Sequence, residues 1–277
     1  MSNLSSEALG EGGFVVQEFF ATMTDQANKE SVRIQQEVTS GMKSKLTLYS
    51  DLIVGKRGFG ALIKYELIML FCSRTPGALG LFLRSKLYPC LFRTCGRNVN
   101  FGSNVVLRNP NKIDLGDNVI IDDNCLLDAK GRRNNGITIE SGVFVGRNSI
   151  LSCKNGDIIL RKDANIGFNC EVFSGSRVEV GEGVLMAAYG YLIGGDHDAD
   201  NADVSVTQQG STSHGILVED GSWLGAGALV RDGVTVGAHA IVGAGAVVTH
   251  NVPEYAIAAG VPARILRDRR EPRSSTE

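Results

Sequence analysis

The sequence predicts a mainly β fold: short parallel strands wound into a triangular coil of about seven turns, preceded by a helical segment. Three observations lead there. Glycine supplies 34 of 277 residues, about 12 % where about 7 % is usual. Twenty-five of these fall between Gly96 and Gly260, and proline is absent from 111 to 252. Aliphatic residues recur every six positions at Val218, Leu224, Val230, Val236, Val242 and Val248. A helix repeats every 3.6 residues and a strand every two, so neither produces a period of six. Three hexapeptides close an 18-residue turn with one inward residue per side.

The register runs backward in groups of three: Cys95/Phe101/Leu107, Leu115/Ile121/Leu127, Ile139/Val145/Leu151, Leu160/Ile166/Val172 and Val180/Met186/Leu192. With the six positions above, that makes seven groups and 21 apolar positions. Successive groups are separated by 8, 12, 9, 8, 26 and 6 residues. Every insertion therefore follows the third hexapeptide, where it leaves the stack unbroken. Coils spaced about 4.8 Å apart would pair each strand with those above and below. Glycine follows nine inward residues directly, at Gly96, Gly102, Gly116, Gly146, Gly167, Gly181, Gly225, Gly237 and Gly243. The expectation is that these nine make tight corners with unusual dihedrals.

The most specific stretch is GSWLGAGALVRDGVTVGAHAIVGAGAVVTHNVPEYAIAAGVPARIL, ending in Asn251-Val252-Pro253 and Ala259-Gly260-Val261-Pro262-Ala263. Over about Cys95 to Leu266 the pattern resembles the hexapeptide-repeat acyltransferases, nearest the galactoside, maltose and antibiotic O-acetyltransferases. The resemblance implies a left-handed parallel β-helix over 95–263, an exception to the usual right-handed crossover. It also implies a homotrimer that transfers an acetyl group from acetyl-CoA to a hydroxyl of a carbohydrate or related acceptor.

The longest insertion, loop 193–217, carries His197 among Asp196, Asp198, Asp200 and Asp203. Long loops on rigid scaffolds commonly hold function. By its loop and its distance before Trp223-Leu224-Gly225, His197 matches the family's loop histidine. The resemblance makes it the general base that removes the acceptor proton, a task suited to imidazole. A backbone carbonyl or an aspartate would fix its tautomer, and backbone N–H groups would hold the oxyanion. His214 is the reserve candidate; His239 and His250 read as surface positions.

By the same match, Trp223, Ala226, Ala244 and Thr249 line the coenzyme A site between subunits. Arg264 and Arg267 meet its phosphates, for which a planar cation is suited. On the acceptor side, Asn169 in IGFNCEVFSG resembles a segment of the galactoside and maltose enzymes, and Asp198 and Asp200 read as a solvated acidic loop or an acceptor-binding lip. Ser174 and Gly175 stand where those enzymes have aspartate, so the resemblance does not carry their acceptor specificity to this chain.

Residues 1–94 do not follow the repeat. The apolar runs 59–72 and 78–92, broken at Thr75-Pro76-Gly77, read as two helices joined by a turn. They either cap the open first coil or rest on anionic membrane as a basic amphipathic surface. Neither run is long enough to span a bilayer. Residues 38–94 carry a net charge of +7 and residues 95–263 a net charge of −7, an asymmetry that concerns partners and not fold. The first 40 residues read as mobile or helical, and 264–277 as a basic tail.

Other classes fit less well. Collagen lacks its G-x-y run, and a 43 % hydrophobic chain of formal charge −2 is not a disordered one. The Asp196-x-Asp198-x-Asp200 run lacks the glycine and glutamate of a calcium loop. Six cysteines without close pairing suggest reduced thiols in a cytoplasmic chain without a secretory leader. No metal and no nucleic-acid partner is expected. The zinc carbonic anhydrases of the same fold need three converging histidines. Serine acetyltransferases show a histidine pattern missing here, and a non-catalytic scaffold would not need the loop histidine.

Overall fold

The computed structural model describes residues 44–271, so the reading of the first 40 residues lies outside the described residues. From Thr94 onward the chain winds through three parallel sheets that form the faces of a triangular solenoid. Face 1 holds seven strands, from Thr94–Cys95 to Thr235–Val236. Face 2 holds nine, from Asn100–Phe101 to Arg264–Asp268, and face 3 holds seven, from Val106–Arg108 to Val247–Val248. An incomplete eighth turn follows, in which Val252 bridges to Val236 and Ala256–Ala259 joins face 2. The supposed tail begins as a strand, because Arg264–Asp268 folds back antiparallel on Ala256–Ala259.

The hexapeptide register is the register of the stack. On face 1, Cys95, Leu115, Ile139, Leu160, Val180, Val218 and Val236 pair in succession. Of the 21 positions, Cys95 in the first coil is half-buried and the other 20 are buried. Insertions fall where the spacing puts them, at the corner between faces 3 and 1.

The nine glycines have a different reason from the expected one. Left-handed dihedrals occur three residues after the inward position, not one. Asn98, Asn104, Asn118, Asn124, Asn148 and Asn169 take φ from 56° to 62° there, and Gly227 and Gly245 take 69° and 67°. Asparagine tolerates this region because its side chain bonds locally, and here it also bonds along the stack. Asn104 Nδ2 donates to Asn124 Oδ1 at 3.0 Å, and Asn148 Nδ2 to Asn169 Oδ1 at 3.0 Å. The glycine just after the inward residue faces the backbone of the next coil. A Cβ on Gly225 would lie 2.6 Å from Ala244 N, and one on Gly102 would lie 2.4 Å from Asp123 N. Close stacking selects these glycines, not their dihedrals.

The front segment caps the first coil. Helix α1 (Lys45–Tyr49) runs into a wider turn at Ser50–Val54, followed by α2 (Phe59–Cys72) and α3 (Gly77–Leu87). The last of these helices stops short of the apolar run's end because Pro89 cannot continue its bonding. The cap satisfies the coil's open edge: Tyr65 Oη donates to Leu107 O at 2.6 Å, Asn104 N to Ser73 O at 2.7 Å, and Asn109 N to Ile53 O at 2.7 Å. Arg84, only 3 % exposed, donates to the carbonyls of Phe101, Cys72 and Thr75.

Candidate functional site

The insertion between Tyr191–Gly194 of face 3 and Ile216–Val218 of face 1 folds back on itself as an arm. Asp196 N donates to Thr212 O, and Asp198 N to Gly210 O, both at 3.3 Å. The short helix α4 (Val206–Gln209) forms the turn-back, where the Gln209 amide bonds both the N–H and the carbonyl of Asn201. His197 sits exposed on this arm, its Nδ1 3.2 Å from Gly210 O. A carbonyl oxygen only accepts, so in the neutral ring this contact puts the proton on Nδ1 and leaves the Nε2 lone pair free. Asp198 is half-buried beside it and Asp200 is exposed. His214 lies exposed at the arm's base, His250 is exposed further along the same edge, and His239 is a surface position at the corner between faces 1 and 2.

Two groups that sequence reading passed over hold the arm. Asp196 Oδ2 pairs with Arg231 Nη2 at 2.8 Å, while its Oδ1 accepts from His197 N at 2.9 Å. The Arg231 guanidinium is the main reason the Asp196 carboxyl is held below the usual carboxylate range. At the base, Asp232 accepts from His214 N and Gly215 N, each at 2.7 Å. Burial outweighs those bonds and raises its pKa. The signal was available, because Asp232 follows His214 by 18 residues, one coil of the repeat.

Most of the other predicted residues gather on face 2 and the corner that follows it, whereas Thr249 follows the face 3 strand Val247–Val248 and stands at the corner between faces 3 and 1. Trp223 projects outward there, 47 % exposed, between Leu185 and Ile241. Ala226 and Ala244 stack one coil apart at the corner between faces 2 and 3, exposed, with Gly245 N donating to Ala226 O at 2.8 Å. At some positions of the same register on the corner between faces 1 and 2, the amide donates to a side chain of the neighbouring coil, as Arg97 N does to Asp117 and Glu182 N to Asp220. The residue across from Ala226 is Ala244, and across from Ala244 is Gly260. Neither offers a side-chain acceptor, so these amides suit a ligand carbonyl. Arg264 and Arg267 lie on the final strand of the same face, opposite Ala259 and Ile257. Thr249 Oγ1 lies 3.0 Å from His250 Nδ1.

Asn169 stands at the same corner on the fourth coil, committed to the asparagine ladder. Within one chain, therefore, the structure brings together Trp223, Ala226, Ala244, Arg264 and Arg267, and leaves His197, Asp198 and Asp200 one corner away. The width of face 3 separates the two groups, roughly 15 Å at about 3.3 Å per strand residue. Among the described residues, no three His, Cys, Asp or Glu side chains group as metal ligands would.

Two family models match the chain: the bacterial transferase hexapeptide (six repeats) over residues 215–250, and the hexapeptide repeat of succinyl-transferase over 94–129. A probable acetyltransferase of Mycobacterium tuberculosis is 27 % identical over 127 residues, covering 46 % of this chain and 42 % of its own. The serine acetyltransferase of Bacillus subtilis is 28 % identical over 131 residues, covering 47 % and 48 %. The matched region thus spans less than half the length of either relative. Among solved structures, AntD, an N-acyltransferase from Bacillus cereus in complex with dTDP and 3-hydroxybutyryl-CoA, aligns at 19 % identity with a TM-score of 0.46. That alignment covers 67 % of this chain and 87 % of the other.

Proposed function

Since this chain is built of transferase-type hexapeptide repeats, we propose that it is an acyltransferase, moving an acetyl group from acetyl-CoA to a hydroxyl of a carbohydrate or related small acceptor. The observation that carries the reading is His197, exposed on the longest insertion with Nδ1 facing the Gly210 carbonyl at 3.2 Å. The names of the two partly matching relatives, both acetyltransferases, support the reaction class.

In this reading His197 Nε2 takes the proton of the acceptor hydroxyl as its oxygen attacks the thioester carbonyl. The tetrahedral intermediate collapses with loss of the thiolate, which recovers the proton from the imidazolium. No acyl-enzyme forms. Asp196 and Arg231 hold the arm in position. The corner amides of Ala226 and Ala244 bind the pantetheine arm beside Trp223, and Thr249, on the edge that carries His197, contacts it from the neighbouring copy. Arg264 and Arg267 meet the phosphates, and Asn169, Asp198 and Asp200 face the acceptor. Because His197 and the donor corner lie at different edges of one chain, a working site takes its base from one copy and its donor corner from the next, in a homotrimer.

The deciding experiment is an acceptor screen with acetyl-CoA, following thiol release, on the natural chain and on His197→Ala. The variant should lose at least about a hundredfold in kcat, the usual scale of a general base, with its assembly intact. Undiminished turnover would remove His197 from the mechanism. Amine acceptors belong in the same screen, since the same base chemistry serves a nitrogen nucleophile.

A further inference from the structure

The helical cap is apolar on two sides. On α2, Leu62, Tyr65, Ile68 and Cys72 are buried against the first coil. Phe59, Ile63, Leu67, Leu70 and Phe71 occupy the opposite arc, about 120° wide at about 100° per residue. All five are exposed, Phe59 by 75 % and Leu70 by 73 %. On α3, Leu79, Leu81 and Phe82 are exposed as well. A helix lying on a core ordinarily turns a polar face to water, and an exposed apolar patch of this extent marks an interaction surface.

The charge around the patch identifies the partner. Asp51 and Glu66 are the only carboxylates between residues 44 and 92. Asp51 pairs with Arg57, and Glu66 accepts from Tyr49 Oη at 2.5 Å. Lys56, Arg74 and Lys86 remain as an exposed cationic rim. Among the described residues Glu66 is the one carboxylate at its edge not paired with a cation, so the border is net positive, and an apolar face so bordered complements an anionic lipid surface. A second copy fits poorly, because a twofold contact would set this rim against itself. Among the described residues no helix is long and apolar enough to cross a membrane, so the cap would lie within the interface.

We propose that α2 and α3 dock the protein on anionic lipid bilayers. Phe59, Leu67, Leu70, Phe71 and Phe82 enter the acyl boundary, while Lys56, Arg74 and Lys86 meet headgroup phosphates. The inference stands apart from the catalytic reading, since none of these residues belongs to that site.

The test is co-sedimentation of the full chain with phosphatidylcholine vesicles, with and without phosphatidylglycerol. Binding should require the anionic lipid and weaken with salt. Replacing all three rim cations by glutamine should weaken it about a hundredfold, at about fivefold per cation. Leu70→Ser with Phe71→Ser should release the protein without changing its melting temperature or its mass in solution. A full chain that stays in the supernatant with anionic vesicles overturns the proposal, leaving the patch to residues 1–43 or to a second copy. Undiminished binding by the serine variant overturns it as well.

Discussion

At the scale of residues, two kinds of glycine occupy one hexapeptide for different reasons. Gly225 has ordinary dihedrals but no room. Gly227, with φ of 69°, has room to spare, since a Cβ there would meet no atom closer than 3.9 Å. Gly225→Ala should therefore cost about 1–3 kcal/mol through displacement of the next coil. Gly227→Ala should cost about 1 kcal/mol of backbone strain, and Gly227→Asn should be close to neutral, because asparagine already fills that position six times. Thermal unfolding of the three variants separates the causes; equal losses for Gly225→Ala and Gly227→Asn would refute the distinction. The Asp196–Arg231 pair works on the same scale. Since the Asp196 pKa is lowered in the folded state, the stabilisation is present above the unfolded carboxylate value of about 3.9 and is lost as pH falls through the lower folded one. Both partners are about half exposed, so Arg231→Gln should change stability by less than about 1 kcal/mol. Its effect should appear in kcat, at about three- to tenfold, a smaller loss than that of His197→Ala.

At the scale of elements, the cap and the arm each depend on a few side-chain anchors. Arg84 satisfies three carbonyls where α2, α3 and the first coil meet. Arg84→Met keeps the bulk and removes those bonds, so it should destabilise the protein by about 2 kcal/mol or more. Hydrogen exchange should place the loss in α2, α3 and the first coil; a uniform loss along the solenoid would contradict the cap's separate role. The arm has its own anchor at Asp232. Burial raises the pKa of that carboxyl, so its ionised form is strained at neutral pH and the strain is relieved as pH falls through the raised value. Aspartate is nevertheless suited to the position, because two carboxylate oxygens accept from two successive amides at the base of the arm.

At the scale of the whole molecule, the solenoid separates what the proposed chemistry needs together. His197, the proposed base, lies at the edge between faces 3 and 1, and the proposed donor corner at the edge between faces 2 and 3. Ala226→Glu should block the corner, as His197→Ala removes the base. Each variant alone should be inactive. Co-assembled in equal amounts, they should recover about a quarter of natural activity, the share of interfaces that pair an intact loop with an intact corner in a closed ring. No recovery on verified mixing would place the whole site within one chain.

The sequence alone determined the stack. A strict six-residue period with glycine behind it leaves few ways to bury one apolar residue per side, so coil register, the corner that takes insertions and the inward set could all be read from spacing. The loop histidine was legible too, since it stands in the longest interruption of that rhythm. Spacing alone did not show that the glycine one residue after the inward position serves close approach while the residue three after it takes the left-handed dihedral, because that division depends on backbone conformation and on what the neighbouring coil puts there. It pointed to Asp232, one 18-residue coil after His214, but not to the Asp196–Arg231 pair, nor could it reveal that the front helices keep a second apolar face outward while capping the coil. These depend on which atoms the stacking brings within bonding distance across coils, and that is decided only when the chain is folded.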